Sequence, residues 1–164
     1  MRFAAATLCA FLLLGCERET AFERLSSQAA ASNPPRLWAV SVIRNGDEAA
    51  KVTLCASDEI RAGFTRMIPM HDGKACALSA QPEFLENRVK IRCVADGRPM
   101  LVENFTKGDV AREFSVYMRM RSLDGGEVVR EQTRRYRLLG ACPAGWAAGW
   151  STDRSGQVVP GVMR

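Results

Sequence analysis

The fold class is decided by the stretch Phe114-Ser115-Val116-Tyr117-Met118-Arg119-Met120-Arg121, in which every second residue is apolar. A period of two is typical of a β-strand with one buried face and one solvated face. A second stretch, Val89-Lys90-Ile91-Arg92-Cys93-Val94, has the same alternation. Turn signals at Asp96-Gly97 and Asp124-Gly125-Gly126 separate these stretches from their neighbours, which favours antiparallel strands joined by short turns.

The residues on the amino-terminal side extend this pattern. Leu37 to Ile43 and Lys51 to Cys55 predict a first hairpin around Asn45-Gly46-Asp47. Ser57 can cap a short helix that Pro69 ends. We therefore predict a mainly β domain, an antiparallel meander that forms a strongly curved sheet or small open barrel with one short helix. The register of the return strand, Val128 to Leu139, stays open because its alternation is poor.

The amino terminus predicts export and lipidation. An apolar run of 12 residues, Phe3 to Leu14, is too short to cross a hydrocarbon core and is typical of a signal peptide. Gly15-Cys16 follows, which is the bacterial lipoprotein pattern and indicates cleavage before Cys16 with lipid attached there. An ordinary signal peptide that is cleaved elsewhere is the alternative. The expected regions are 1–15 lipoprotein signal peptide, 16–35 lipidated N-terminus and tether, 36–143 disulfide-linked β domain, and 144–164 C-terminal tail.

Charge and sorting signals indicate the partners. Glu17, and not Asp, follows the lipidated cysteine, which by analogy favours the outer membrane, facing the periplasm. The net charge of +5 would raise the question of nucleic acid in a cytosolic protein, but an exported protein meets anionic envelope components instead. The expected partners are the membrane, through the N-terminal lipid, and an envelope protein or anionic envelope component, without nucleic acid.

The cysteine count predicts two disulfides. Of six cysteines, Cys9 leaves with the signal peptide and Cys16 carries the lipid. An even number remains for an oxidising compartment: Cys55, Cys76, Cys93 and Cys142. A zinc site is disfavoured because such sites use closely spaced pairs of cysteines. Of three connectivities, we favour Cys55–Cys76, which would clamp the helical segment, and Cys93–Cys142, which would tie down the last strand.

Catalytic and metal-binding motifs do not emerge from the sequence. Its one histidine, His71, lies in a turn composition, and no Gly-x-Ser-x-Gly or HExxH motif occurs. Met67, Met70 and His71, with Met118 and Met120, offer ligands that suit Cu(I), but three of these methionines continue apolar faces. We therefore predict no catalytic residue, no metal and no cofactor. A hydrolase that uses carboxylates stays an alternative, because the spacing of paired carboxylates is spatial.

A block of arginines near the C-terminus is the feature closest to function. Such a concentration could bind phosphate or carboxylate through bidentate contacts, although a solvated sheet face is the interpretation we favour. The members of the block are Arg119, Arg121, Arg130, Arg134, Arg135 and Arg137. The sequence thus predicts a non-enzymatic envelope lipoprotein that acts as a binding or structural module. The alternatives are a periplasmic carrier of a hydrophobic or anionic ligand and the carboxylate-dependent hydrolase.

The order of these marks resembles a known family. A Leu37-Trp38-x-Val40 strand is followed by Cys55 before a short helix, by Cys76 and Cys93, and by Arg137-Leu138-Leu139-Gly140-Ala141-Cys142-Pro143. This is similar to the bacterial periplasmic and lipoprotein family called domain of unknown function family 3617, over residues 36–143. Arg36 stands where the family typically has glycine, and the middle of this chain is richer in charge. The resemblance implies a disulfide-linked β domain and no assigned activity.

Overall fold

The alternating stretches of the sequence form the long strands of the structure. The computed structural model describes residues 33–71 and 74–161, without the side chain of His71. The predicted signal peptide, Cys16 and most of the tether lie outside the described residues. One helix, α1 (Asp58–Ala62), accompanies twelve strands: β1 (Arg36–Arg44), β2 (Asp47–Ala56), β3 (Met70–His71), β4 (Lys74–Ala75), β5 (Ala77–Leu78), β6 (Glu83–Leu85), β7 (Arg88–Ala95), β8 (Arg98–Asp109), β9 (Glu113–Ser122), β10 (Val128–Ala141), β11 (Ser151–Thr152) and β12 (Val158–Val159).

Ten of the strands form one antiparallel sheet that does not close. Its order is β12-β11-β2-β1-β10-β9-β8-β7-β5, with β6 also paired to β7, and β3 and β4 make a separate ribbon. Strands β7 to β10 are a meander, and β10 then pairs with β1, so the first hairpin joins the sheet beside the last long strand. The predicted fold class, mainly antiparallel β with one short helix and two disulfides, is confirmed.

The two faces of the sheet differ in what they bury. The first face carries the apolar side chains of the alternating strands, such as Val102, Val116 and Met118, all at most 1% exposed. Residues 57–71, which we call the covering segment, pack on this face through Phe64 and Met67. The opposite side, the second face, carries the polar residues of the same strands.

Aromatic rings fill the middle of the first face. The Phe64 ring stacks on Tyr136 at 4.4 Å between centroids, and Phe114 stacks on Tyr136 at 4.8 Å. Trp38, which is fully buried, meets Phe64 edge to face at 5.7 Å. Such pairs add stability beyond the area that they bury. The interior of the curved sheet is therefore a packed core.

The helix is shorter than the sequence pattern suggests. Ser57 caps it by accepting a hydrogen bond from the Ile60 backbone N–H at 3.4 Å, and the helix ends before Gly63. Met67 lies beyond this end yet is buried, and its carbonyl oxygen accepts a hydrogen bond from Asn104 Nδ2 at 3.1 Å. A side chain of β8 thus satisfies a buried backbone carbonyl group that no helix pairs.

The favoured disulfide pairing is wrong. The structure joins Cys55 to Cys142 and Cys76 to Cys93, with Cα atoms 5.8 and 5.6 Å apart. Arg36, the first residue of β1, pairs with Ala56 at the end of β2 and with Ala141 at the end of β10. The ends of these two strands, which carry Cys55 and precede Cys142, therefore lie on either side of Arg36. Cys76 immediately precedes β5, which pairs with β7 next to Cys93.

The segment expected as a tail adds two short strands to the sheet edge. Strand β11 lies against β2, and the Cys55 backbone N–H donates to the Trp150 carbonyl oxygen at 2.8 Å. Thr152 Oγ1 accepts a hydrogen bond from the Thr53 backbone N–H at 2.9 Å. The residues from Asn33 onward form one compact unit with its own core. Within the described part of the chain, no helix has the length and hydropathy of a membrane span.

Candidate functional site: a cation-rich sheet face

The arginine block lies on the β9–β10 hairpin but is divided between the two faces. Arg134 pairs with Val116 and Arg130 with Met120, which places these two arginines on the first face. Arg130 Nη1 donates a hydrogen bond to the Met70 carbonyl oxygen of the covering segment. The other four, Arg119, Arg121, Arg135 and Arg137, belong to the second face, so the block predicted from the sequence is two separate sets.

Arg134 acts on a residue of the core. Burial raises the pKa of the Tyr136 hydroxyl, and the neighbouring Arg134 partly offsets this rise. Tyr136 is 2% exposed, so its ionised form would lack water. The position of Arg134 is thus explained by its contact with Tyr136, and Arg134 does not belong to the surface on which we look for a ligand site.

Glu103 of β8 is the centre of the first set of cations on the second face. It pairs directly with Arg119 on β9 and with Lys90 on β7. Its carboxylate lies 3.2 Å from Arg119 Nη2, 3.5 Å from Arg88 Nη1 and 4.0 Å from Arg121 Nε. Glu103 is 4% exposed. We call these five residues the Glu103 cluster.

The Glu103 cluster carries more positive charge than its carboxylate can balance. Three guanidinium groups lie within 4.0 Å of this single carboxylate, a formal excess of two positive charges, while Glu131 pairs across the strands with Arg119 and Glu83 pairs with Lys90. The side chains of Arg88, Arg119 and Arg121 are 34%, 38% and 42% exposed, so their outer ends reach solvent. The Nε atoms of Arg119 and Arg121 are buried without a hydrogen-bond partner. Glu103 therefore orders the arginines without using all their donors.

Two aromatic rings border the Glu103 cluster. Phe105 and Tyr117 lie on neighbouring strands with ring centroids 6.1 Å apart, and the Arg88 guanidinium lies 5.7 Å from the Phe105 centroid. The Tyr117 hydroxyl donates a hydrogen bond to Glu131. Desolvation first, and then the Glu131 carboxylate, raise the pKa of Tyr117. The Phe105 ring therefore lies against the Arg88 guanidinium at one side of the cluster.

The second set of cations surrounds a small pocket farther along the same face. Ala39 and Ser41 of β1 are 3% and 4% exposed and form its floor. The pocket has a volume of about 190 Å³. Charged side chains from β2, β9 and β10 form its walls, namely Glu48, Lys51, Glu113, Arg135 and Arg137. We call this cavity the polar pocket.

A larger groove lies between the start of β1 and the end of β10. It has a volume of about 490 Å³, and its lining includes Pro35, Cys142 and Trp146. A third cavity, of about 380 Å³, lies beside α1 between Arg61 and Phe114. Neither brings charged groups together in the way that the polar pocket does.

The methionines that suggested copper have other surroundings. Met67, Met118 and Met120 are at most 4% exposed within the core, while Met70 is half exposed in β3. The side chain of His71 lies outside the described residues. In ranges 33–71 and 74–161, no three His, Cys, Asp or Glu residues are grouped so that they could hold a metal ion.

Sequence reasoning missed the residue that organises the site. Glu103 belongs to a predicted strand, but its neighbour Asn104 is polar as well, so alternation in this strand does not say which of the two lies on the second face. Its partners Arg88 and Lys90 come from another strand and were not part of the arginine block.

Comparison with protein-family models, with curated proteins and with solved structures finds no match.

Proposed function

We propose that this protein is a lipid-anchored envelope protein, not an enzyme, that binds an anionic surface through the second face of its sheet. The observation that carries the proposal is the Glu103 cluster, in which a buried carboxylate orders arginines whose outer ends reach solvent. Membership of domain of unknown function family 3617, and an outer-membrane position facing the periplasm, are parts of the same proposal.

Charge and donor geometry favour phosphate groups as the ligands of this face. Arginine presents a planar fork of donors that fits phosphate oxygens, and each basic residue near an anionic membrane contributes about 1 kcal/mol of attraction. The order imposed by Glu103 lowers the entropy that Arg88 and Arg119 lose when they bind. A lipid on Cys16 would keep the face close to headgroups and raise their effective concentration.

The packed interior bears on the carrier alternative. Trp38, Phe64 and Tyr136 occupy the space in which a curved sheet would hold a hydrophobic ligand. This supports binding on a surface over binding inside the sheet. The groove at Trp146 is the described cavity that a hydrophobic carrier would have to use.

The carboxylate-dependent hydrolase stays a second candidate because of one observation. Glu48 and Glu113 line the same polar pocket, and glycoside hydrolysis commonly uses two carboxylates at one site. Its test is whether a Glu48→Gln or Glu113→Gln change abolishes a measured hydrolytic activity. Activity that is absent from the wild type, or unaffected by both changes, would remove this candidate.

The proposed function is tested with two double variants that lose the same charge on opposite faces. The mature chain with Cys16→Ser is sedimented with vesicles of phosphatidylglycerol in phosphatidylcholine at about 150 mM salt, where the Debye length is about 8 Å. Arg119→Gln with Arg121→Gln should weaken binding about 30-fold, from two lost attractions of about 1 kcal/mol each. Arg130→Gln with Arg134→Gln is the matched control and should weaken it far less.

Two outcomes would contradict this proposal. Equal loss in both double variants would mean that net charge, and not the second face, governs binding. Equal binding of the wild type to vesicles with and without phosphatidylglycerol would remove the anionic surface from the proposal. Circular dichroism and urea midpoints of each variant establish that the folded domain is being compared.

A further inference from the structure

We propose that the polar pocket binds a small zwitterion, a molecule that carries one carboxylate and one ammonium group, such as a short peptide or an amino acid. This goes beyond the proposed function, because the pocket lies over β2, β1, β10 and the first residue of β9, whereas the Glu103 cluster lies over β7, β8 and the later part of β9. The ligand differs as well, since a membrane surface cannot enter a cavity of about 190 Å³.

The pocket exists because small residues lie between long ones. Ser41 of β1 pairs with Lys51 on one side and with Arg135 on the other. Ala39 likewise pairs with Arg137 of β10. Two short side chains in the middle strand thus leave a depression that long charged side chains enclose. A cavity of about 190 Å³ has room for several water molecules or for one compact polar ligand.

In the described part of the chain, the cations of the pocket have no acidic partner within ion-pair distance. Among residues 33–71 and 74–161, Lys51, Arg135 and Arg137 form no ion pair within 4.0 Å and no side-chain hydrogen bond, whereas Arg119 and Arg88 do. Arg135 and Arg137 stand two residues apart on β10 and therefore project from the same face. Two guanidinium forks side by side are suited to one carboxylate.

The acids of the pocket select against a simple anion. Glu48 accepts a hydrogen bond from Ser41 Oγ at 2.6 Å, which fixes its carboxylate at the rim. Glu113 pairs across the strands with Arg137 but forms no ion pair with it in the described part of the chain. A phosphate dianion would meet two carboxylates here, and like charges at close range cost affinity. An ammonium group on the ligand satisfies them.

The test titrates the oxidised mature chain, carrying Cys16→Ser, with L-alanyl-L-alanine as the probe. Acetate, ethylamine and inorganic phosphate are titrated separately, since each supplies only part of the dipeptide's charges or a different anion. Nuclear magnetic resonance shifts of Ser41 and Arg135 locate the binding. We expect the dipeptide to bind at least about tenfold more tightly than acetate, ethylamine or phosphate, a difference of about 1.4 kcal/mol.

Substitutions identify the groups that bind. Arg135→Lys keeps the charge but removes the fork, so it should weaken dipeptide binding about tenfold. Ala39→Val adds two methyl groups to the floor of the pocket, so it should also weaken dipeptide binding. Valine is common in strands, so β1 should still form. The matched control Arg119→Lys, in the Glu103 cluster, should leave dipeptide binding unchanged.

Three results would overturn the zwitterion site. The first is no shift of pocket residues with the dipeptide in the wild type. The second is tighter binding of phosphate than of the dipeptide, which would make the pocket a simple anion site. The third is an equal effect of Arg119→Lys and Arg135→Lys. Vesicle binding by the Arg135→Lys variant should stay close to that of the wild type, so this proposal and the proposed function can fail separately.

Discussion

Glu103 is the residue on which the order of the cation-rich face depends. It is buried among Arg88, Arg119 and Arg121, although the face around it is open to solvent. The stems of these arginines lie over its carboxylate, and long cationic side chains commonly cover their neighbours in this way. Removing the carboxylate would leave the guanidinium groups close together without a counter-charge.

Glu103→Gln tests this role. The amide keeps the shape but not the charge, so we expect the free energy of unfolding to fall by about 1–2 kcal/mol, less than for a fully buried pair because the arginines can turn to water. The loss should shrink at high salt, which screens the repulsion. Urea denaturation at low and high salt measures it, with Glu86→Gln in an exposed turn as the control. A loss no larger than in the control would contradict the role of Glu103.

The burial of Tyr136 predicts that the stability of the folded protein falls at alkaline pH. Because burial raises its pKa in the folded state, the folded protein keeps its proton at a pH where the unfolded chain loses it. This contribution to stability is fully present below the ordinary tyrosine pKa of about 10 and is lost as the pH rises through the folded pKa.

The chain has two tyrosines, so Tyr117→Phe leaves Tyr136 as the sole tyrosine signal. In that variant we expect tyrosinate absorbance to appear only above pH 10 or so, together with loss of the β-sheet circular dichroism. Ionisation near the ordinary value with the sheet intact would show that Tyr136 is not buried as described.

At the scale of elements, the strands that could be predicted are those with one buried face. The alternation places β7 and β9 within about a residue of their ends, because side chains of period two report burial directly. Strand β10 alternates poorly since two charged residues, Arg130 and Arg134, stand on the first face. Its register therefore needed the structure.

The pairing of β1 with β10 could not be predicted from local patterns. The two strands are far apart in sequence, and alternation says which face a residue takes but not which strand lies next to it. The disulfide prediction failed for this reason, because Cys55 and Cys142 meet only once β1 lies between β2 and β10. The polar pocket was missed in the same way, since its walls come from three strands.

Tryptic mapping without reduction tests this arrangement of elements. We expect peptide 52–61 to be linked to 138–154, and peptide 75–88 to be linked to 93–107, since each of these four peptides contains one cysteine. A link between 52–61 and 75–88 would contradict the described sheet order.

The two bridges should differ in their effect on stability. Their sequence separations are 87 and 17 residues, so the chain-entropy relation gives about 4–5 kcal/mol for Cys55–Cys142 and about 3 kcal/mol for Cys76–Cys93. A pairwise change of Cys55 and Cys142 to serine should therefore lower the urea midpoint more than the same change of Cys76 and Cys93.

For the whole molecule, attachment to the envelope rests on Cys16. Cys16→Ser should yield a protein that no longer incorporates labelled fatty acid and that leaves the membrane fraction, because one cysteine supplies the lipidation site. Fractionation of cells that express both forms measures this. A Cys16→Ser protein that is still labelled and still sediments with membranes would contradict the lipoprotein prediction.

The central claim is that the whole molecule meets an anionic surface with its second face. The most direct measurement uses nitroxide-labelled phosphatidylglycerol in vesicles and records the side-chain Nε–H resonances of the arginines. Those of Arg88, Arg119 and Arg121 should broaden first, because they lie at the proposed contact. Broadening that begins at Arg61 and Arg66 of the covering segment would place the membrane on the opposite face and contradict the claim.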